Sequence, residues 1–116
     1  MADRLGCCVP FCRRTIKDDG TFTEWICSNH WRLVSRKAKL MKRRAEAVFK
    51  TARLECDAID AEAVADMKAN DRPGIEPGIW DRFCVAASLR DRKARQADRV
   101  WERCKRQAIE AAGGIR

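Results

Sequence analysis

The sequence predicts a mainly α-helical chain: a small cysteine-rich β module, then a long antiparallel helical hairpin. Three observations lead there. Four of the seven Cys and the single His fall within the first 30 of 116 residues. Two stretches, 31–67 and 79–112, contain no Pro or Gly and carry apolar residues at helical spacing. Between them, Pro73-Gly74 and Pro77-Gly78 make the sharpest break in the chain.

The first elements are read from turn chemistry. Arg13 to Lys17 and Thr21 to Ile26 are expected as two strands, with Asp18-Asp19-Gly20 between them, because Asp-Gly is a strong hairpin signal. After Ile26 the pattern changes to helix. Ser28 or Asn29 is the expected cap, since a short side-chain oxygen satisfies a free N–H of the first turn.

The first long helix is expected from Trp31 to about Met67. Val34, Met41, Val48, Cys56, Ile59, Ala63 and Met67 form its apolar stripe, and Ala38, Ala45 and Ala52 fill the gaps. Such a helix is roughly 55 Å long and does not stand alone well in water. The second helix is expected from Ile79 or Trp80 to about Ala112, stopped by Gly113-Gly114. Trp80, Phe83, Ala87, Arg90, Ala94, Ala97, Trp101, Cys104, Ala108 and Ala111 alternate in steps of three and four, a coiled-coil seam with Arg90 as its polar member. The predicted organisation is therefore a zinc-type knuckle and β-hairpin over 1–30, and a two-helix hairpin over 31–112 with its turn at 70–79.

Charge is segregated along this layout. Lys and Arg number 25 against 17 Asp and Glu, a net charge of +8. Residues 1–30 are neutral, 31–56 carry +7, 57–81 carry −5 and 82–116 carry +6. An antiparallel hairpin then places both basic stretches beside the cysteine module and the acidic stretch at the tip, giving an electrostatic dipole. A net charge of this size favours a polyanionic or acidic partner. No apolar run reaches the roughly 18–20 residues of a spanning helix. Leu5-Gly6-Cys7 has the look of a lipoprotein cleavage site, but six residues cannot supply the export signal before it. An intracellular setting follows as the expectation. There structural disulfides are rare, and clustered Cys point to metal.

The candidate ligands are Cys7 or Cys8, Cys12, Cys27 and His30, with Cys7 preferred for the first place. Cys7 to Cys12 is C-x4-C, Cys8 to Cys12 is C-x3-C, and Cys27 to His30 is C-x2-H. Two ligand pairs separated by a hairpin suit a closed tetrahedral structural zinc site. The second pair shares one face of a helical first turn. A knuckle, a β-hairpin and two ligands at a helix start make a treble-clef-like arrangement. The competing reading is that these Cys are small apolar core residues. A 30-residue module, however, has little other material for a core and needs a staple.

Cys-Cys-Val-Pro-Phe-Cys-Arg-Arg-Thr (7–15) and Trp-Ile-Cys-Ser-Asn-His-Trp-Arg-Leu-Val (25–34) resemble small zinc-binding proteins of bacteriophages and prophages, over roughly residues 7–45. The treble-clef group that includes HNH nucleases is a more distant relative. The resemblance implies a zinc module, a phage origin and the cytoplasm of a bacterial host. It implies no reaction.

Enzymatic activity is not expected. The one His is assigned to the metal, and a fully ligated site has no open position for substrate. No Gly-rich phosphate loop and no Gly-x-Ser-x-Gly is present. Cys56, Cys84 and Cys104 have no partner base and are expected in the core. The leading functional expectation is nucleic-acid binding, DNA ahead of RNA, through Arg13, Arg14, Arg32, Arg36, Lys37, Lys39, Lys42, Arg43, Arg44, Arg99, Arg103 and Arg106. Asn29, Arg32 or Arg36 could reach base edges, and Trp25 and Trp31 could stack on exposed bases. The alternative is a phage-encoded inhibitor or adaptor of a host protein, anti-defence or anti-CRISPR-like. Asp57, Asp60, Glu62, Asp66, Asp71 and Glu76 would then mimic phosphates. A homodimer built through an exposed Ala seam is the third expectation.

Overall fold

The computed structural model describes residues 3–113. Their order is β1 (Arg4–Gly6), β2 (Thr15–Lys17), α1 (Ser28–Trp31), α2 (Arg36–Asn70) and α3 (Pro77–Ala112). The fold is the expected one, a small β-hairpin followed by a long helical hairpin. Contacts divide the chain into two compact units. One is Met1–Lys42 with Val100–Arg116, and the other is Arg43–Arg99. No helix among the described residues is long and apolar enough to cross a membrane.

In the first unit, β1 and β2 pair antiparallel with Leu5 opposite Ile16. The strand pairing therefore differs from expectation. Thr15–Lys17 pairs with the residues before the knuckle, not with 21–26. The Asp18-Asp19-Gly20 turn exists, but as two local side-chain turns. Asp18 Oδ1 accepts from Gly20 N–H at 3.1 Å, and Asp19 Oδ1 accepts from Thr21 N–H at 2.9 Å. Gly20 sits at φ 84°, where Gly carries no steric cost. These bonds turn the chain without joining two strands. The following segment returns to the knuckle through one parallel bridge, Trp25 to Cys7.

The expected helix from Trp31 is also divided. Leu33 and Val34 donate to the carbonyls of His30 and Trp31, three residues back, which tightens and ends α1. Ser35 then restarts the helix. Its Oγ accepts from Ala38 N–H at 3.1 Å, while its own N–H donates to Gln107 Oε1 at 2.9 Å. A serine able to cap overrides the absence of Pro and Gly. Neither Ser28 nor Asn29 caps α1. Cys27 occupies the N-cap without a side-chain cap bond, and Asn29 Oδ1 accepts from Arg32 instead. The core here is Val9, Ile26, Val34, Ala38, Cys104 and Ala108, with Trp31, Trp101 and Ile109 packed on it. Ser35 meets Gln107 and Ala38 meets Cys104, so α2 and α3 run antiparallel here.

In the second unit the helices are again antiparallel, with Glu62 against Arg82 and Cys56 against Arg90. The core is Cys56, Ile59, Ala63, Ile79 and Ala86, with Phe83 and Ala87 against it. Two expected seam members are exposed instead. Val48 is 47% exposed and Trp80 is 49% exposed, because Ile79 takes the seam position and Trp80 stacks on Phe83 at 5.8 Å. Cys56 and Cys104 are buried as expected, but Cys84 is exposed, off the seam between Phe83 and Ala86. Arg90 keeps its polar place by donating to Cys56 Sγ at 3.3 Å and Asp91 at 3.1 Å.

The turn between the helices begins before its prolines. Arg72 N–H donates to Met67 O at 3.0 Å with Asp71 at φ 48°, a left-handed helix stop made by Asp instead of Gly. Glu76 then caps α3, its two oxygens accepting from Gly78 and Ile79 N–H at 3.0 Å each. These bonds hold its carboxyl below the usual range. At the far end Gly113 donates to Ile109 O, while Gly114 of the expected stop lies outside the described residues. Glu76→Ala is expected to destabilise the helical hairpin, read as a lower urea midpoint followed by circular dichroism.

Candidate metal centre

Three short segments converge on one point. The first is the loop between β1 and β2. It closes on itself through Cys7 N–H to Arg14 O at 3.1 Å and Cys12 N–H to Val9 O at 3.2 Å. Phe11 adopts φ 68°, which lets the chain reverse between Val9 and Cys12. The second segment is 25–27, held against the loop by Cys8 N–H to Trp25 O at 2.8 Å. The third is α1, which places His30 one turn after Cys27.

The result is a cluster of Cys7, Cys12, Cys27 and His30 whose ligand atoms all lie within 4.8 Å of one another. Cys12 Sγ is 3.9 Å from Cys27 Sγ. His30 Nδ1 is 3.1 Å from Cys27 Sγ and 3.6 Å from Cys7 Sγ. The backbone N–H of Cys27 donates to Cys7 Sγ at 3.3 Å. Burial opposes ionisation of Cys27, but the N–H of His30 and its bonds to Cys7 and Cys12 outweigh it and hold the thiol below its ordinary value. Cys12 goes the other way. The Arg14 backbone bond favours its thiolate, but burial and the neighbouring Cys7 and Cys27 thiols push it up overall. Three crowded thiols resist joint ionisation unless a cation sits among them. The arrangement is compatible with a metal site.

Cys8 is not part of the cluster. Its side chain points away, with Sγ 3.7 Å from Glu24 Oε2, and burial followed by the Glu24 charge pushes its thiol up. Glu24 is a residue that sequence reasoning missed. Its carboxylate accepts from Trp101 Nε1 at 3.0 Å and from Lys105 Nζ at 3.0 and 3.3 Å. These bonds, Trp101 first, hold Glu24 below the usual carboxylate range. Lys105 also pairs with Glu102 at 2.9 Å. One loop carboxylate thus ties the module to α3. The only trace in the sequence is Trp101 and Lys105 four apart on one helix face, which does not name its partner.

The expected nucleic-acid-binding residues fall in both units. Arg13 and Arg14 are exposed beside the knuckle, and Arg36 and Lys37 at the start of α2. Arg32 bonds Asn29 at 3.1 Å. Lys39 and Lys42 lie over the Trp31 ring at 5.5 and 5.7 Å, and Lys42 also over Trp101 at 5.8 Å. Arg106 is exposed, and Arg103 donates to Met41 Sδ at 3.6 Å. Arg43, Arg44 and Arg99 are exposed members of the second unit. Trp31 stacks on Trp101 at 6.4 Å, so this indole is engaged within the protein, and Trp25 is half-buried with its backbone bridged to Cys7.

Compared with family models, curated proteins and solved structures, the chain matches none.

Cys12→Ser and His30→Ala are expected to lose the bound ion, and Cys8→Ser to keep one divalent ion per chain, as counted by elemental analysis of protein purified with metal. Glu24→Gln is expected to lower the thermal midpoint at neutral pH. Because the folded-state value of Glu24 is depressed, its stabilisation is present above the ordinary glutamate value of about 4.3. It disappears as pH falls through the lowered value. The difference in midpoint between parent and variant should therefore shrink in acid, measured by calorimetry across a pH series.

Proposed function

We propose that Cys7, Cys12, Cys27 and His30 hold one structural zinc ion, and that the unit it staples binds nucleic acid through its cationic surface without catalysing a reaction. The donor set supports zinc. Three thiolates and an imidazole are a common closed zinc shell, with Zn–S near 2.3 Å and Zn–N near 2.0–2.1 Å. A tetrahedral ion with such bonds separates two sulfurs by roughly 3.8 Å, and Cys12 and Cys27 stand 3.9 Å apart. Four protein ligands leave no open coordination position, which supports a staple over a catalyst.

The observation that carries the nucleic-acid reading is where the charge lies. The unit containing the cluster has thirteen basic and six acidic residues, net +7. The other has twelve basic and eleven acidic, net +1. Among the described residues, Arg13, Arg14, Arg36 and Lys37 make no ion pair. Cations left facing solvent near a fixed scaffold attract phosphates and release counterions on binding. DNA is the favoured target, and the phage setting and host cytoplasm implied by the sequence resemblance fit this role.

The phosphate-mimic reading draws less support. Of the six acidic residues behind it, Glu62 is held by both nitrogens of Arg82 at 2.9 and 2.8 Å. Asp66 is held by Arg72 at 2.9 Å, and Glu76 is occupied in capping α3. Only Asp57, Asp60 and Asp71 remain to face a partner.

Zinc-loaded protein is expected to bind labelled duplex DNA in fluorescence anisotropy, with affinity falling steeply as salt rises. Replacing Arg36 and Lys37 together by Ala should weaken binding and lower the salt slope by about 2, near one per lost phosphate contact. Absence of binding at about 50 mM salt, with metal content and helicity intact, would overturn the proposal and direct attention to a protein partner.

A further inference from the structure

The knuckle carries a side chain that neither the core nor the metal cluster uses. Phe11 is fully exposed, at 101% of its reference area, on a backbone at φ 68°. Either feature alone is unremarkable in a loop. Together they are costly, since a side chain at positive φ is strained and an exposed phenyl ring recovers nothing from burial. Gly would make the same turn without strain. Strain kept at an exposed aromatic points to an occupant of that ring face.

The surroundings indicate the chemistry of the occupant. Phe11 borders a cleft of about 420 Å³ whose walls include Val9, Pro10, His30 and Ile109. The cleft is mostly apolar. Beside it stand Arg13 and Arg14, exposed and without ion pairs among the described residues. Their Cα atoms lie within about 11 Å of that of Phe11, because only three peptide units separate them at most. An apolar protein side chain would fill the cleft equally well but would leave both cations without a partner. A nucleotide satisfies both, with its base on the ring and its phosphates on the arginines.

We propose that Phe11 is a stacking platform for an unpaired base, so that the knuckle reads single-stranded nucleic acid, with Arg13 and Arg14 holding the flanking phosphates. This rests on the nucleic-acid reading above and narrows it. It also assigns the stacking role to a residue other than Trp25, which is half-buried, and Trp31, whose ring already stacks on Trp101. The knuckle fixes the platform from both sides, through the Cys12–Val9 backbone bond and the Cys12 thiol in the cluster.

The test uses the full zinc-loaded chain and three labelled probes at one salt concentration: oligothymidylate, an abasic strand of equal length and a duplex. The parent should bind oligothymidylate more tightly than the abasic strand. F11A should weaken oligothymidylate binding about tenfold, in the range lost with one base–aromatic stack, and leave the abasic and duplex probes unchanged. F11W should restore binding. F11A is not expected to unfold the module, because the ring is exposed and Ala tolerates this φ no worse than Phe; metal content checks this. An F11A that binds oligothymidylate like the parent, or that loses equally on all three probes, overturns the stacking assignment. It leaves general nucleic-acid binding standing, since the duplex still binds the parent. Failure of the parent to bind any probe removes both readings and would fit an apolar protein segment in the cleft.

Discussion

Three thiols and an imidazole drawn within 4.8 Å of one another set the terms for the rest of the first unit. Sulfur atoms at that spacing repel once ionised, and as thiols they bond only weakly, so the cluster is held together by a cation or by its scaffold. The scaffold is slight: six paired strand residues, one bridge at Trp25 and a single helical turn. Among the described residues before α1, only Val9, Ile26 and Cys27 are buried and apolar. Taken without the helices that cover it, burial on that scale is small beside the conformational entropy of ordering some thirty residues. An ion held by this cluster would make the folding of the module and the filling of the site one event.

The helices solve a different problem. Their facing positions are mostly Ala and Cys, which bring two backbones close but remove little apolar surface from water. Long apolar side chains meanwhile remain outside, with Val85 at 73% and Leu54 at 52% exposure. Polar contacts supply definition where packing is spare. Arg82 grips Glu62 with two nitrogens, and Arg90 sits in the seam between Cys56 and Asp91. Such exposed pairs contribute little energy each, but they fix which residue faces which.

Much of this was legible in the sequence. Periodicity located both long helices, and the two Pro-Gly steps located their turn. The spacing of Cys and His named the cluster, because ligand chemistry leaves few alternatives in a chain with one His. What escaped the sequence depended on partners distant along the chain. The strand pairing went wrong because Asp-Gly signals a reversal but not which strands it joins. The gap at 32–35 was hidden because the N–H of Ser35, which restarts the helix, is satisfied by Gln107, 72 residues along the chain. The choice between Cys7 and Cys8 turned on Glu24, which draws the second thiol away. The exposure of Phe11 carried no signal, since Pro-Phe before a Cys reads equally well as core.

The pairing of Glu24 with Trp101 and Lys105 has a consequence for how the chain assembles. Those partners lie 77 and 81 residues apart. On a ribosome Glu24 emerges well before Trp101 and Lys105, the helix residues that it binds. Throughout synthesis the loop carboxylate, Val9 and Ile26 wait uncovered. The 43–99 segment meanwhile can close on itself through contacts local to its own hairpin. Once it does, the distance between the two ends of the chain shrinks from a long random loop to a short one, and the entropic cost of bringing α3 back to the knuckle falls with it. The second unit is in this sense a built-in folding guide for the first.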